Sequence, residues 1–147
     1  MATVATLAQG TRSAALVTMG TLASGTYIAS ASIDLGAAIP VDITLDVTAT
    51  PGVGQTATTG VFVFAKFSLD NTNFGTGPES GTSTTDEADL HFIGFLPTAT
   101  NSTAQEKLFS MIGQPVARYM KLVVKNSTGA ALGSGFVYRA DITGVQT

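Results

Sequence analysis

Positions 41 to 48 alternate strictly between apolar side chains (Val41, Ile43, Leu45, Val47) and polar ones (Asp42, Thr44, Asp46, Thr48). Successive side chains on a β-strand point to opposite faces, so this run predicts a strand with one buried and one solvated face. Weaker versions of the pattern recur along the chain. Residues 13–19 predict a short apolar strand. Residues 27–35 predict another, with Tyr27, Ala29, Ala31, Ile33 and Leu35 on a single face. Residues 61–69 carry apolar side chains on both faces, Val61, Val63 and Ala65 against Phe62 and Phe64. That double pattern predicts a central sheet position or an outer face covered by a partner, and residues 90–96 read the same way. Strands over 41–50, 103–111, 116–125 and 135–145 bring the set to about eight. No window sustains a helical period; only the Ala-rich N-terminus and residues 102–110 leave room for a short helix.

Breakers separate these runs, among them Pro51-Gly-Val-Gly54 and Asn126-Ser-Thr-Gly129. Residues 75–89 form the longest stretch without a period and hold Glu79, Asp86, Glu87 and Asp89. A loop of that length in a compact domain is uncommon and is usually functional or mobile. Residues 1–12 read as an N-terminal arm, either frayed or docked on a neighbouring molecule, and residues 13–147 as one domain. The expected fold is all-β, an antiparallel sandwich of jelly-roll or Greek-key type.

Composition narrows the function classes. Charged residues make up 12% of the chain, about half the usual share. The net charge is −3, and the seven Lys and Arg are scattered, so there is no electrostatic footprint for nucleic acid. Sparse charge on a β-rich protein is a solubility liability, which points to surface covered in an assembly. The chain has no cysteine, which removes disulfides and thiolate chemistry and suits folding in a reducing cytoplasm. No apolar run reaches the roughly 20 residues of a membrane helix. Residues 1–10 lack the basic start of a signal peptide, so the sequons at Asn101 and Asn126 are not expected to be glycosylated.

Reactive residues are few. His91 is the only imidazole, and no Gly-x-Ser-x-Gly elbow accompanies it. A zinc site needs more nitrogen or sulfur ligands than one His supplies. Asp42 and Asp46 lie on one strand face about 13 Å apart, wide for a glycosidase pair, and are expected to be solvated. Asp70, Asn71 and Asn73, or Asp86, Glu87 and Asp89, offer oxygens to calcium, but EF-hand spacing is absent and Asx-rich turns close hairpins without metal. No cofactor is expected and no catalytic residue is assigned. The residues proposed to meet another protein are Phe62, Phe64, His91, Ile93, Phe95 and Arg12, with Phe62 and Phe64 the leading pair.

Two segments carry a resemblance. Phe67-Ser-Leu-Asp-Asn-Thr-Asn-Phe74 is similar to a strand followed by the "S-x-D-G-T-N-aromatic" turn of many tailed-phage virion proteins, with Asn71 where Gly is commoner. Tyr119-Met-Lys-Leu-Val-Val-Lys-Asn-Ser-Thr-Gly-Ala-Ala-Leu132 resembles a strand and turn near the end of small phage structural proteins. Together they cover about 22 residues, and both are structural, so no catalytic residue carries over. The resemblance implies a non-enzymatic virion protein made in the bacterial cytoplasm, most simply a capsid decoration (cement) protein. It implies the major capsid protein and further copies of itself as partners, a trimer being favoured. A tail, neck or head-fibre component, or a carbohydrate- or receptor-binding module, is the alternative.

Overall fold

A computed structural model of the chain describes residues 5–56, 58–99 and 102–146; residues 1–4 of the expected arm and Asn101 of the first sequon lie outside the described residues. Eleven strands are present among the described residues: β1 (Ala5–Gln9), β2 (Val17–Thr18), β3 (Tyr27–Ala29), β4 (Ile33–Asp34), β5 (Asp42–Pro51), β6 (Gly60–Ser68), β7 (Ser80–Gly81), β8 (His91–Pro97), β9 (Gln105–Ser110), β10 (Tyr119–Asn126) and β11 (Leu132–Gln146). A single 3-10 turn, Glu87–Asp89, is the one helical element among the described residues. In the two places with room for a helix, residues 5–9 and 105–110 are extended instead, as β1 and β9.

The strands form two sheets, and every pairing is antiparallel. The first runs β1–β11–β5–β9, with β2 also on β11; the second runs β7–β3–β10–β6–β8, with β4 also on β10. With the short β1, β4 and β7 set aside, β2–β11–β5–β9 opposes β3–β10–β6–β8. That is the strand order of a jelly roll. The excess over eight strands comes from the ordering of the arm, the splitting of 27–35 and a short strand inside the long loop.

The core lies between the sheets. Ile43, Leu45, Val47 and Ala49 of β5 face Val61, Val63, Met120, Leu122 and Val124 of the second sheet, and all are buried. Each fully buried side chain of this size contributes roughly 1.5–3 kcal/mol. The inward positions of β5 are those its alternation predicts. Its other face is not solvated as expected: Asp46 is only 9% exposed. The Arg12 guanidinium covers it, donating to Asp46 Oδ2 at 2.9 Å and lying 4.2 Å from the centre of the Tyr138 ring.

Residues 27–35 do not form one strand with one face. Ala29 opposes Val123 while Ile33 opposes Met120, so four steps on one side match three on the other. Ser30 fills the bulge: its N–H donates to Leu122 O and its hydroxyl accepts from Leu122 N–H. The bulge reverses the alternation. Tyr27 therefore packs outside the second sheet with Phe64, Leu90 and Val123, while Ile33 enters the main core. β6 is a central strand, as its double apolar pattern predicts, whereas β8 is an edge strand.

The described part of the arm docks on its own chain. β1 pairs with the end of β11, and Gly10, Ser13, Leu16 and Met19 continue the contact by donating to the carbonyls of Asp141, Arg139, Val137 and Gly135. Deleting residues 1–12 would uncover this edge of β11 and strip Asp46 of its cation. The deletion is expected to lower the thermal unfolding midpoint and raise light scattering on heating. An unchanged midpoint by calorimetry would show that the segment is not part of the stable sheet.

Candidate functional site

The outer face of the second sheet carries four phenylalanines from two neighbouring strands. In register, Phe62 opposes Phe95 and Phe64 opposes Phe92. Phe92 and Phe95 are three residues apart, an odd step that in a regular strand would separate them. A bulge between the Val63–Gly94 and Phe64–Phe92 pairs absorbs Ile93 and brings both rings to one face. Ring centroids are 4.8 Å apart for Phe62 and Phe95, 5.8 Å for Phe64 and Phe92, and 6.2 Å for Phe62 and Phe64. Two glycines make room. A Cβ on Gly60 would lie 2.7 Å from the Phe95 ring, and one on Gly94 would lie 2.2 Å from the ring of Phe109, which packs across from the first sheet. Phe64 is buried, Phe62 and Phe95 are half-buried, and Phe92 is 52% exposed at the sheet's edge.

The same bulge redistributes the proposed interface residues. Strict alternation groups His91, Ile93 and Phe95. In the structure only Phe95 joins Phe62 and Phe64; Ile93 packs against the main core, and the exposed His91 sits edge-on to Phe67 at 5.2 Å. Arg12 belongs to the outer face of the opposite sheet. Phe92, which alternation misses, is the most exposed ring of the patch. Gly94 inside a strand was the available signal for the bulge.

Beside the phenylalanines, residues 70–90 fold over the rest of this face and are pinned by charge. Lys66, 5% exposed, donates to Gly77 O at 3.1 Å and to Glu79 Oε1 at 2.9 Å, while Lys121 donates to Glu79 Oε2 at 2.9 Å. Lys125 and the Tyr27 hydroxyl both reach Glu87 Oε2, the lysine at 2.5 Å. Leu90 closes the cover over Tyr27, Phe64 and Val123. Burial disfavours ionisation of Glu79, but hydrogen bonds from Lys121 and Lys66 outweigh it and hold the carboxyl below its ordinary value. Glu87 is lowered in the same way, burial being outweighed by Lys125 and Tyr27. The long loop is therefore a fastened cover.

Of the calcium candidates, Asp70 serves its own turn, and Asn71, Glu87 and Asp89 accept from side chains of the protein. Asp70 Oδ1 accepts from Ser68 Oγ and from the N–H groups of Thr72 and Asn73, and Oδ2 accepts from Asn73 Nδ2. The Asn73 and Thr72 amides, with the Asn73 and Ser68 side chains, hold Asp70 well below the carboxylate range. Glu87 is in the clamp, and Asp89 accepts from Thr76. Among the described residues no three His, Asp or Glu side chains converge as metal ligands. Ser68, Asp70 and His91 line one groove, but Ser68 donates to Asp70 and no hydrogen bond among the described residues joins either to the imidazole. That wiring is not a triad, in which His must accept from Ser and be held by Asp. The second phage-like segment is equally structural. Buried Asn126 donates to the carbonyls of Leu22 and Ala130 and accepts from the N–H and hydroxyl of Thr128, closing the β10–β11 turn.

A scan of protein-family models finds no match to the chain, and a search of curated proteins finds no similar sequence. No helix among the described residues is long and apolar enough to cross a membrane.

Glu79→Ala would leave the buried Lys66 ammonium without its carboxylate. The expected loss is on the order of 2 kcal/mol, discounted for the partial exposure of Glu79, with faster proteolysis within residues 75–89. Denaturant unfolding and limited proteolysis measure the two effects. The pH dependence follows from four lowered carboxyls: Glu79, Glu87, Asp70, and Asp34, which Arg118 and the Gly36 N–H hold at about 2. Groups whose folded pKa is depressed stabilise fully above their unfolded values and lose that contribution as pH falls through the folded ones. The thermal midpoint should be level down to about pH 5 and then decline toward about pH 2, and a midpoint that rises on acidification would contradict this.

Proposed function

We propose that this chain is a non-enzymatic structural protein of a tailed-phage virion, and within that class a capsid decoration (cement) protein that binds the outer capsid lattice and stabilises the head. The observation that carries the reading is the phenylalanine patch at the unpaired edge of β8. It joins an exposed ring, Phe92, and two half-buried ones, Phe62 and Phe95, to a strand at the end of its sheet, which suits a flat protein partner better than a small substrate. The jelly-roll order supports it by fold analogy, since viral capsid domains use the same roll, though lectins do too. The two phage-like segments add the virion context.

The physical job fits the molecule. A stiff sandwich with its long loop fastened down offers a rigid area to span seams between capsid subunits. Individually modest contacts become strong when many copies engage a lattice. The partners in this reading are the major capsid protein and further copies of the chain, and the location is the outer surface of the virion.

The test is binding to purified heads that lack the protein. Phe92→Asp places a charge in the patch and is expected to reduce co-sedimentation with heads by tenfold or more, about 1.4 kcal/mol, with the β circular-dichroism signal unchanged. Heads decorated by the unaltered protein should withstand heating better than bare heads. Full binding by Phe92→Asp, or placement in a ring of few copies at the neck by cryo-electron microscopy, would overturn the decoration reading.

A further inference from the structure

We propose that the end of the sandwich where β5 begins and β6 ends is a self-association surface, in which the β1–β11 ribbon of one copy seats in a groove of the next. This deepens the function proposed above by naming the surface for the self-contact, and it leaves the phenylalanine patch to the capsid.

The first observation is a projecting ribbon. β5 pairs with β11 only as far as Asp42 opposite Ile142, so residues 143–146 are paired with β1 alone. The ribbon extends roughly 13 Å beyond the three-stranded part at ordinary strand rise. An isolated two-stranded ribbon is marginal in water unless something packs against it. Leu7 opposes Gly144 and is 70% exposed. Opposed residues share a face, and a Cβ on Gly144 would lie 3.7 Å from Val41, so Leu7 is on the side of the ribbon that looks over Val41.

The second observation is a receptor for such a knob at the same end. Residues 39–43 and 111–117 enclose a groove of about 330 Å³ with Ile43, Phe67 and Met111 beneath it. A neighbouring groove of about 470 Å³ shares Phe67, Pro115, Val116 and Ala117 and reaches Leu69. Of the ten large apolar side chains that stay exposed among the described residues, six belong to this one surface: Leu7, Ile39, Val41, Leu69, Ile112 and Val116. Together they present several hundred Å² of apolar area, the scale of the ~800 Å² per partner that a standard interface covers.

The third observation identifies the occupant. The carboxylates lining the grooves are already committed. Asp42 accepts from Ser110 Oγ and Met111 N–H, and Asp70 is held by its turn. At the rim, Arg118 is closed on Asp34 by two bonds of 2.8 and 2.9 Å. No lysine or arginine lines either groove, and ribbon residues 5–9 and 143–146 carry no charge, so the apolar knob of a second copy meets an apolar floor without burying a charge of its own. Knob and groove on one chain make a head-to-tail contact, which forms a closed ring when the rotation between copies allows it.

Sedimentation velocity over a micromolar concentration series tests the proposal. The unaltered chain should form a discrete oligomer. Leu7→Asp and Val116→Asp should each weaken it about thirtyfold or more while the circular-dichroism spectrum stays native. The absence of native cysteine permits a second test that does not depend on tolerance of a charge. A tagged Leu7→Cys chain mixed with an untagged Val116→Cys chain should yield a disulfide-linked pair of distinct mass on mild oxidation. Val53→Cys, at the opposite end, should not link to Leu7→Cys. A monomer at every concentration, an oligomer unaffected by both Asp variants, or equal linking to Val53→Cys would overturn the inference. Capsid binding is read separately. Loss of binding in Phe92→Asp with a monomeric chain removes the self-contact alone, and a ring that does not bind heads removes the decoration reading alone.

Discussion

A sandwich of two sheets has four faces and buries two of them against each other. With no α-helix among the described residues, the chain must deal with the remaining two faces by other means. Much of the structure outside the core answers this constraint. On the first sheet the N-terminal segment runs along β11, and Arg12 lies across Asp46 and Tyr138. On the second sheet the loop between β6 and β8 folds back, seats Leu90 over Tyr27 and Val123, and is held by lysines from the sheet itself.

This explains how so few charges serve the fold. Lys66, Lys121 and Lys125 project from β6 and β10 onto an otherwise apolar face and meet Glu79 and Glu87 from the loop. Exposed ion pairs contribute little, but a lysine that is 5% exposed is costly without a partner. The clamp thus specifies where the loop lies more than it adds net stability. Asp34, Asp42 and Asp70 likewise organise turns and strand ends. The acidic and basic groups that could suggest chemistry in the sequence are largely occupied with structure.

The surfaces left open are the phenylalanine patch along β8 and the largely apolar end where the β1–β11 ribbon projects. They meet near the start of β8, where Gln114 of the groove donates to Phe92 O, but they differ in kind, one an aromatic edge and the other a knob beside a groove. The proposed decoration role calls for two kinds of contact, with the shell and with further copies, and two apolar surfaces of different kind suit that division.

Much of the core was legible from alternation alone. The inward residues of β5, β6 and β10 follow from a two-residue period, because each is long, regularly paired and flanked by clear breakers. The all-β class and the absence of long helices were legible for the same reason. The proposed contact residues were only partly so. Phe62, Phe64 and Phe95 meet, but Ile93, His91 and Arg12 do not join them and Phe92 does. Alternation is a local rule, and a bulge reverses it wherever two residues on one strand oppose one on the next. Whether that happens depends on the partner strand, as at Ser30 beside Leu122 and at Ile93 between Gly94 and Phe92. The fate of the arm, the burial of Asp46 and the fastening of the long loop also depend on residues tens of positions away. The sequence by itself determined the strands and their apolar faces, because those follow from neighbours along the chain. The tertiary structure alone decided which outward residues stand together, because that depends on register between strands and on what folds across them.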